Sequence, residues 1–159
     1  MNFKIGFGYD VHRLSANFDL WLGGIKIEHE KGAVGHSDAD VLIHSICDAL
    51  LGAAGLRDIG YFFPDTDPAY KGIDSKLLLQ KVLTLVHQAG YQIGNIDSTI
   101  CLEKPKISPY IPSMQNCLAE ILTIEQNKIS IKATTKEKLG FVGEERGIEA
   151  YAVVLLYAN

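Results

Sequence analysis

Three side chains in the first third of the sequence could together hold a metal ion. Asp10 and His12 flank one residue in Asp10-Val11-His12. Along a strand, residues i and i+2 project to the same side, so this carboxylate and imidazole point together. His44 lies in a helical pattern, one turn after Asp40 and one turn before Asp48. One carboxylate and two imidazoles make a three-ligand zinc set with a fourth tetrahedral position open. A water or phosphate oxygen could fill that position, and the ion would act as a Lewis acid. The same residues also suit a plainer reading: a chance D-x-H on a strand and a helical histidine that belongs to the core.

Three further segments carry chemistry-bearing types. Gly35-His36-Ser37-Asp38-Ala39-Asp40 joins a histidine and a hydroxyl to the free N–H groups of a helix start, which suits an anion. It equally suits a capped helix with solvated acids, Ser37 as N-cap and Asp38 and Asp40 in the first turn. Lys132-Ala133-Thr134-Thr135-Lys136-Glu137 either sets hydroxyls on phosphate oxygens and Glu137 on a hard cation, or is a T-x-x-E capping box of Thr134 with Glu137. Phe63-Pro64-Asp65-Thr66-Asp67-Pro68 reads as turn chemistry, or as a proline-stiffened lid whose acids meet substrate hydroxyls.

The elements that must position these groups follow from periodicity. Residues 3–12 read as a strand in which Gly6 and Gly8 mark close backbone approach. Gly23-Gly24 between Asp19–Leu22 and Ile25–Ile27 reads as a hairpin. Residues 28–36 read as loop. Val41, Ile43, Ile46, Cys47, Leu50 and Leu51 give the apolar stripe of a helix over 38–54. A loop over 55–68 precedes a helix over 75–89 that stops at Gly90. A strand over 91–103, a helix ending near 123, strands over 128–133 and 148–157, and a loop over 134–147 complete the chain. This order predicts an α+β two-layer sandwich, one sheet with helices on one face.

Composition narrows the function classes. A chain of 159 residues favours one domain. With 47% hydrophobic and 21% charged residues it has the means to build a core. A net charge of −4 argues against non-specific nucleic-acid binding, which needs clustered Lys/Arg. No apolar run is long enough to predict a membrane span, and the start of the sequence runs directly into strand-like residues rather than a signal pattern. Cys47, Cys101 and Cys117 form no CxxC motif and no even set, so a reduced, cytoplasmic protein is expected.

Taken together and in order, these segments resemble the 2-C-methyl-D-erythritol 2,4-cyclodiphosphate synthase family of the non-mevalonate route to isoprenoid precursors. The resemblance runs through Gly8-Tyr9-Asp10-Val11-His12, Gly35 to Asp40, Asp48-Ala49-Leu50-Leu51-Gly52-Ala53-Ala54, Asp58-Ile59-Gly60, Phe63 to Pro68 and Lys132 to Thr135. It covers nearly the whole chain and implies one catalytic domain over 1–159. It implies a cyclisation in which the 2-phosphate of 4-diphosphocytidyl-2-C-methyl-D-erythritol 2-phosphate attacks the β-phosphorus and CMP leaves. By that resemblance Asp10, His12 and His44 hold one zinc ion per subunit. Glu137 meets a second divalent ion, Mg²⁺ or Mn²⁺, that bridges the phosphates, and His36 and Thr135 stabilise the transition state. Substrate contacts would come from Asp10, Val11, His12, His36, Ser37, Asp58, Ile59, Gly60, Phe63, Pro64, Asp65, Thr66 and Asp67. Leu102, Glu103, Lys104, Pro105, Lys106, Ile107, Ser108, Thr134, Thr135, Lys136, Glu137 and Phe141 would complete them, with the cytosine-binding segment supplied by a neighbouring subunit. The family is a homotrimer with its sites between subunits.

One departure stands out. Members of the family commonly carry an arginine shortly after Leu-Gly-Phe, two residues past the next glycine or adjacent to it; here the residue next to Gly143 is Glu144, and the nearest arginine is Arg146. An anion-binding role at position 144, including isoprenoid diphosphate on the threefold axis, is therefore not expected. Glu144 and Glu145 beside Arg146 leave a local charge of about −1 per copy, about −3 in a trimer, and Arg146 is expected to pair with an acidic neighbour. Two other functions use the same residues: a zinc-dependent phosphoesterase that activates water, and a nucleotide-binding regulatory module with a structural metal.

Overall fold

The computed structural model describes residues 2–158. Its centre is a long antiparallel pair, β1 (Phe3–Ala16) against β7 (Gly147–Ala158), with Asp10 opposite Ala150 and His12 opposite Ile148. β5 (Tyr91–Cys101) lies on the other side of β7, antiparallel, and β6 (Ile129–Thr134) pairs with β5 in parallel. The sheet is completed beyond β1 by β4 (Lys31–Val34), giving the order β4-β1-β7-β5-β6. β2 (Leu20–Leu22) and β3 (Ile25–Ile27) form a separate hairpin. Its two linking residues, Gly23 and Gly24, have φ of +57° and +80°, which a tight two-residue turn requires.

β4 falls within the segment expected to be loop, and β1 runs four residues past its expected end. The two differences share one cause: Arg13 to Ala16 gain partners in Lys31 to Val34. Gly32 in that short edge strand sits so close to Asp19 that a Cβ would lie 2.1 Å from its carbonyl oxygen. Tertiary contact, which carries no propensity signal, selects the glycine there.

The described residues also form five α-helices, α1 (Val41–Ala54), α2 (Ile59–Phe62), α3 (Ser75–Gln88), α4 (Ile111–Leu122) and α5 (Gly140–Gly143). α1 is the pivot. One side lies on β1 and β7 and the other meets α3, so residues beyond the expected stripe, such as Leu42, Ser45 and Ala49, are also fully buried. The helix begins at Val41 rather than 38, and its N-cap is Asp40 rather than Ser37. Ala39 takes φ of +58°, which breaks the right-handed path before the helix can start. Asp40, wholly buried, accepts N–H bonds from Ile43 (3.0 Å), Gly23 (3.0 Å) and Gly24 (2.7 Å), so one carboxylate caps α1 and fastens the hairpin turn to it.

The strand that carries Asp10 touches α1 backbone to backbone. A Cβ at Gly8 would lie 1.9 Å from the Ser45 carbonyl oxygen, and one at Gly6 would lie 1.8 Å from that of Ala49. Only hydrogen side chains permit this approach. The opposite face of the sheet is open and apolar. Phe3, Ile5, Phe7, Tyr9 and Val11 of β1 stand exposed there, and Val153 and Tyr157 of β7 lie opposite Phe7 and Phe3. No described helix is long and apolar enough to cross a membrane.

Candidate active site

The close approach of β1 and α1 gathers Asp10, His12 and His44. Asp10 Oδ2 is 2.9 Å from His12 Nε2 and 3.0 Å from His44 Nδ1, and the two ring nitrogens are 3.2 Å apart. A zinc ion about 2.0–2.1 Å from each nitrogen or oxygen holds tetrahedral ligands about 3.3 Å apart. The triangle therefore already has nearly the dimensions of one face of that tetrahedron, and this is the only such group among the described residues. Burial opposes ionisation of Asp10, but hydrogen bonds from His12 and His44 outweigh it and hold the carboxyl down to about 2. The carboxylate is thus ionised and ready to bind a cation. Burial likewise opposes charge on His44, yet the Asp10 hydrogen bond raises its pKa above the usual imidazole range.

The triangle forms part of the wall of a cavity of about 450 Å³. His36, Ser37, Ile59, Gly60, Phe63, Pro64 and Asp65 also line it. Tyr70, Ile73 and Leu78 line it as well, and these the sequence reading missed; apolar residues in a turn and on a helix give no signal that they will face a cavity. Asp58 caps α2 by accepting from Tyr61 N (2.9 Å), and Asp48 accepts from Ile59 N (2.8 Å), so two carboxylates hold the Asp58-Ile59-Gly60 turn in place. Thr66 is exposed and Asp67 caps the 3-10 turn Pro68–Tyr70, accepting from Ala69 N (2.9 Å). His36 reaches toward the Asp67 carbonyl at 3.4 Å, tying the lid-like loop to the segment before α1.

Of the two readings of Gly35 to Asp40, the capped helix start accounts for the amides that are already bonded. Asp40 accepts from Ile43 N, Ser37 Oγ accepts from Ala39 N (3.1 Å), and Asp38 accepts from Asp40 N (3.2 Å). These N–H groups already have acceptors, so an anion there would meet His36 and Ser37 side chains instead.

A second cavity, of about 380 Å³, is lined by Leu102, Glu103, Pro105, Lys106, Ile107, Ser108, Ala133, Thr134 and Thr135. It shares no residue with the first. The two groups expected to act on the transition state thus separate within one chain, His36 lining one cavity and Thr135 the other. Glu137 is exposed on the loop after β6 and is not part of the metal triangle. Thr134 and Glu137 form no capping box: Thr134 ends β6, and Glu137 N donates to Thr135 Oγ1 at 3.3 Å in a tight turn where Glu137 has φ of +50°. Lys136 pairs with Glu149 (3.1 Å) and Lys104 with Glu145 (2.9 Å). Phe141 lies apart from both cavities, beside Arg13, Leu14 and Arg146.

Arg146 does pair with an acidic neighbour, Glu144, at 2.6 and 2.7 Å. The charge count made from sequence needs correction, however. Glu145 is partnered by Lys104, and Lys31 donates to its carbonyl oxygen, so this corner is nearly neutral rather than −1.

The described family YgbB matches residues 3–157. The chain is 65% identical over 156 residues to the 2-C-methyl-D-erythritol 2,4-cyclodiphosphate synthase of Porphyromonas gingivalis, covering 98% of this chain and 96% of that protein. The fold superposes on the IspF–CDP complex of Plasmodium falciparum with a TM-score of 0.87 at 36% identity, covering 99% of this chain and 97% of that one. It also matches the bifunctional IspDF of Campylobacter jejuni with a TM-score of 0.96 at 40% identity, spanning 99% of this chain and 43% of that larger protein. A triad-bearing α+β sandwich matched over almost all its length at these identities leaves one assignment: the chain belongs to the YgbB family of 2-C-methyl-D-erythritol 2,4-cyclodiphosphate synthases.

Proposed function

We propose that this chain, acting as one catalytic domain over 1–159, converts 4-diphosphocytidyl-2-C-methyl-D-erythritol 2-phosphate into 2-C-methyl-D-erythritol 2,4-cyclodiphosphate and CMP. The observation that carries the reading is the Asp10, His12, His44 triangle, which borders a cavity large enough for a sugar phosphate. The bond formed joins a 2-phosphate oxygen to the β-phosphorus, and the bond broken is that between the β-phosphorus and the bridging oxygen that leaves with CMP. Atoms balance without water, oxidant or general base, because a phosphate is already ionised near neutral pH.

Asp10, His12 and His44 would hold zinc, whose donor chemistry of one carboxylate and two imidazoles they match. When bound, the ion supplies a Lewis acid for a phosphate oxygen; Mg²⁺ or Mn²⁺ near Glu137 would add a second positive charge between the phosphates. The chain's own work is positioning. His36 and Ser37 present donors to phosphate oxygens, Asp58, Ile59 and Gly60 hold sugar hydroxyls, and the Phe63 to Asp67 loop closes over them. Main-chain groups of Leu102 to Ser108 would read the cytosine edge, with Thr134, Thr135 and Lys136 on its phosphates. Alignment of charged groups in a fixed polar site is the main contribution a protein makes to phosphoryl transfer.

The proposed assembly is a homotrimer with shared sites. Two features support it: the cavities on one chain share no residue, and the open face of β1 and β7 is an apolar surface such as subunits bury. Phosphorus NMR of the product from the cytidyl substrate with Mg²⁺ tests the reading. Cyclic diphosphate plus CMP is expected. Linear phosphates would indicate a phosphoesterase, and no turnover would remove the enzymatic reading.

A further inference from the structure

His44 has two ring nitrogens, and the second is where the structure is most informative. Its Nδ1 faces Asp10 and His12, while its Nε2 faces two hydroxyls, Ser75 Oγ at 2.9 Å and Ser37 Oγ at 3.1 Å. A nitrogen that donates its lone pair to a cation leaves the ring proton on the other, so Nε2 has one N–H to give and two oxygens competing for it.

The surroundings of the two serines differ. Ser75 is wholly buried at the first position of α3. Its hydroxyl donates to Asp38 Oδ1, and its backbone N–H donates to Asp38 Oδ2 at 2.9 Å. An ionised carboxylate only accepts, so the Ser75 proton is committed to Asp38 and the oxygen's lone pairs are left for a donor. Ser37 Oγ instead already accepts the Ala39 N–H, and it lines the substrate cavity with its own proton uncommitted. The segment that carries Asp38 is fastened to the approach to α3 by two backbone bonds, Asp38 N to Ile73 O (3.1 Å) and Gly72 N to His36 O (2.7 Å), so the relay is held at both ends.

We propose that Asp38 and Ser75 form a positioning relay that fixes His44 as the Nε2-protonated tautomer with Nδ1 aimed into the metal triangle, and that this frees the Ser37 hydroxyl to donate to substrate phosphate. The proposal rests on the zinc reading of Asp10, His12 and His44. It adds a direction to each proton and separates two serines that distance alone leaves equivalent. An acceptor behind a ligating imidazole raises its basicity and fixes its rotation, and loss of such a partner typically costs 10–100-fold in metal affinity.

The test uses the metal-free full chain, Zn²⁺ alone as the titrant against a competing chelator, and long-range ¹H–¹⁵N NMR of the histidine rings. In the zinc-loaded unmodified chain the His44 ring is expected as the Nε2–H tautomer, whereas without metal the Nδ1 that faces the Asp10 carboxylate carries a proton. Ser75→Ala should lower zinc affinity about 10–100-fold and mix the tautomers, and Ser75→Thr, which keeps the hydroxyl, should restore both. Ser37→Ala should leave zinc affinity within about twofold while raising KM for the cytidyl substrate, because its role is toward phosphate. Unchanged zinc affinity and tautomer in Ser75→Ala, or a loss in Ser37→Ala equal to that in Ser75→Ala, overturns the relay. If Ser75→Ala does not fold, the Ser37→Ala titration and the tautomer in the zinc-loaded unmodified chain decide. An Nδ1–H ring there refutes the proposal. Should the unmodified chain bind no zinc, the metal reading falls and the relay with it, whereas zinc binding that Ser75→Ala leaves unchanged overturns the relay alone.

Discussion

The metal triangle exists because β1 and α1 meet without side chains between them, and Gly8→Ala tests that directly. A Cβ at position 8 would lie 1.9 Å from the Ser45 carbonyl oxygen and 2.7 Å from Ala49 N. Both are backbone atoms and cannot rotate away. Reaching the 3.0 Å that real Cβ atoms keep requires strand and helix to part by about 1.1 Å. Asp10 lies two residues along that strand and His44 is the neighbour of Ser45, so the separation falls across their 3.0 Å contact and widens it to about 4 Å. Ligand atoms that far apart approach the limit of about 4.2 Å at which one ion can touch both, and only in a straight line. Zinc affinity and turnover are expected to fall about 100-fold or more, as for other misplacements of about 1 Å in a site. Overpacking should cost about 1–3 kcal/mol of stability. Gly52→Ala is the matched control. Gly52 lies on the same helix, exposed, with nothing near its missing Cβ. That change should stabilise the fold by up to about 1 kcal/mol, the helix propensity difference, and leave zinc binding untouched. Chelator competition and urea denaturation on both variants are the assays. A Gly8→Ala chain that binds zinc as tightly as the unmodified one would show that the backbone contact does not set the site.

Asp40→Ala should lower stability by about 3 kcal/mol in urea denaturation, since three backbone N–H groups lose their acceptor and only the relief of a buried charge offsets this; a loss under about 1 kcal/mol would show that the clamp is dispensable. Phe7→Lys, on the open face of the sheet, should give a monomer by light scattering that still binds zinc but has lost turnover; an active monomer would exclude sites shared between subunits. CDP should bind the metal-free chain far more weakly than the zinc- and Mg²⁺-loaded one by calorimetry, and equal affinities would show that protein groups alone hold the diphosphate.

Much of this architecture is legible in the sequence because local and tertiary demands coincide. Asp10 and His12 share a strand face by the period of two, and Gly23-Gly24 reads as a turn because only glycine enters that φ region cheaply. His44 is placed by the helical period once α1 is recognised. The misread positions are those where a distant group decides. Ser37 has the right chemistry for an N-cap, yet the left-handed Ala39 passes the cap to Asp40, whose carboxylate serves the hairpin as well. β4 lacks any strand signature and exists because β1 offers an edge. Ser75 reads as an ordinary helix-start serine; only its seat between Asp38 and His44 gives it more to do.

Charge explains why an acidic chain can serve a polyanionic substrate. The described residues lining the first cavity include Asp10 and Asp65 but no lysine or arginine. Around the second, Lys104 and Lys136 are each partnered by a carboxylate, Glu145 and Glu149, and the one lysine in its lining is Lys106, which pairs with no described carboxylate. A diphosphate approaching the first cavity gains little from the protein's fixed charges, and unshielded carboxylates repel it. A divalent cation in the triangle would reverse that at one point, since two neutral imidazoles and one ionised carboxylate would leave it with a net positive charge. Zinc on one carboxylate and two imidazoles keeps a charge of about +1, whereas three carboxylates would leave about −1 and forfeit the attraction. The choice of one Asp and two His therefore bears on the substrate as much as on the metal: such ligands would hold an ion while leaving it electrophilic enough to draw in a phosphate.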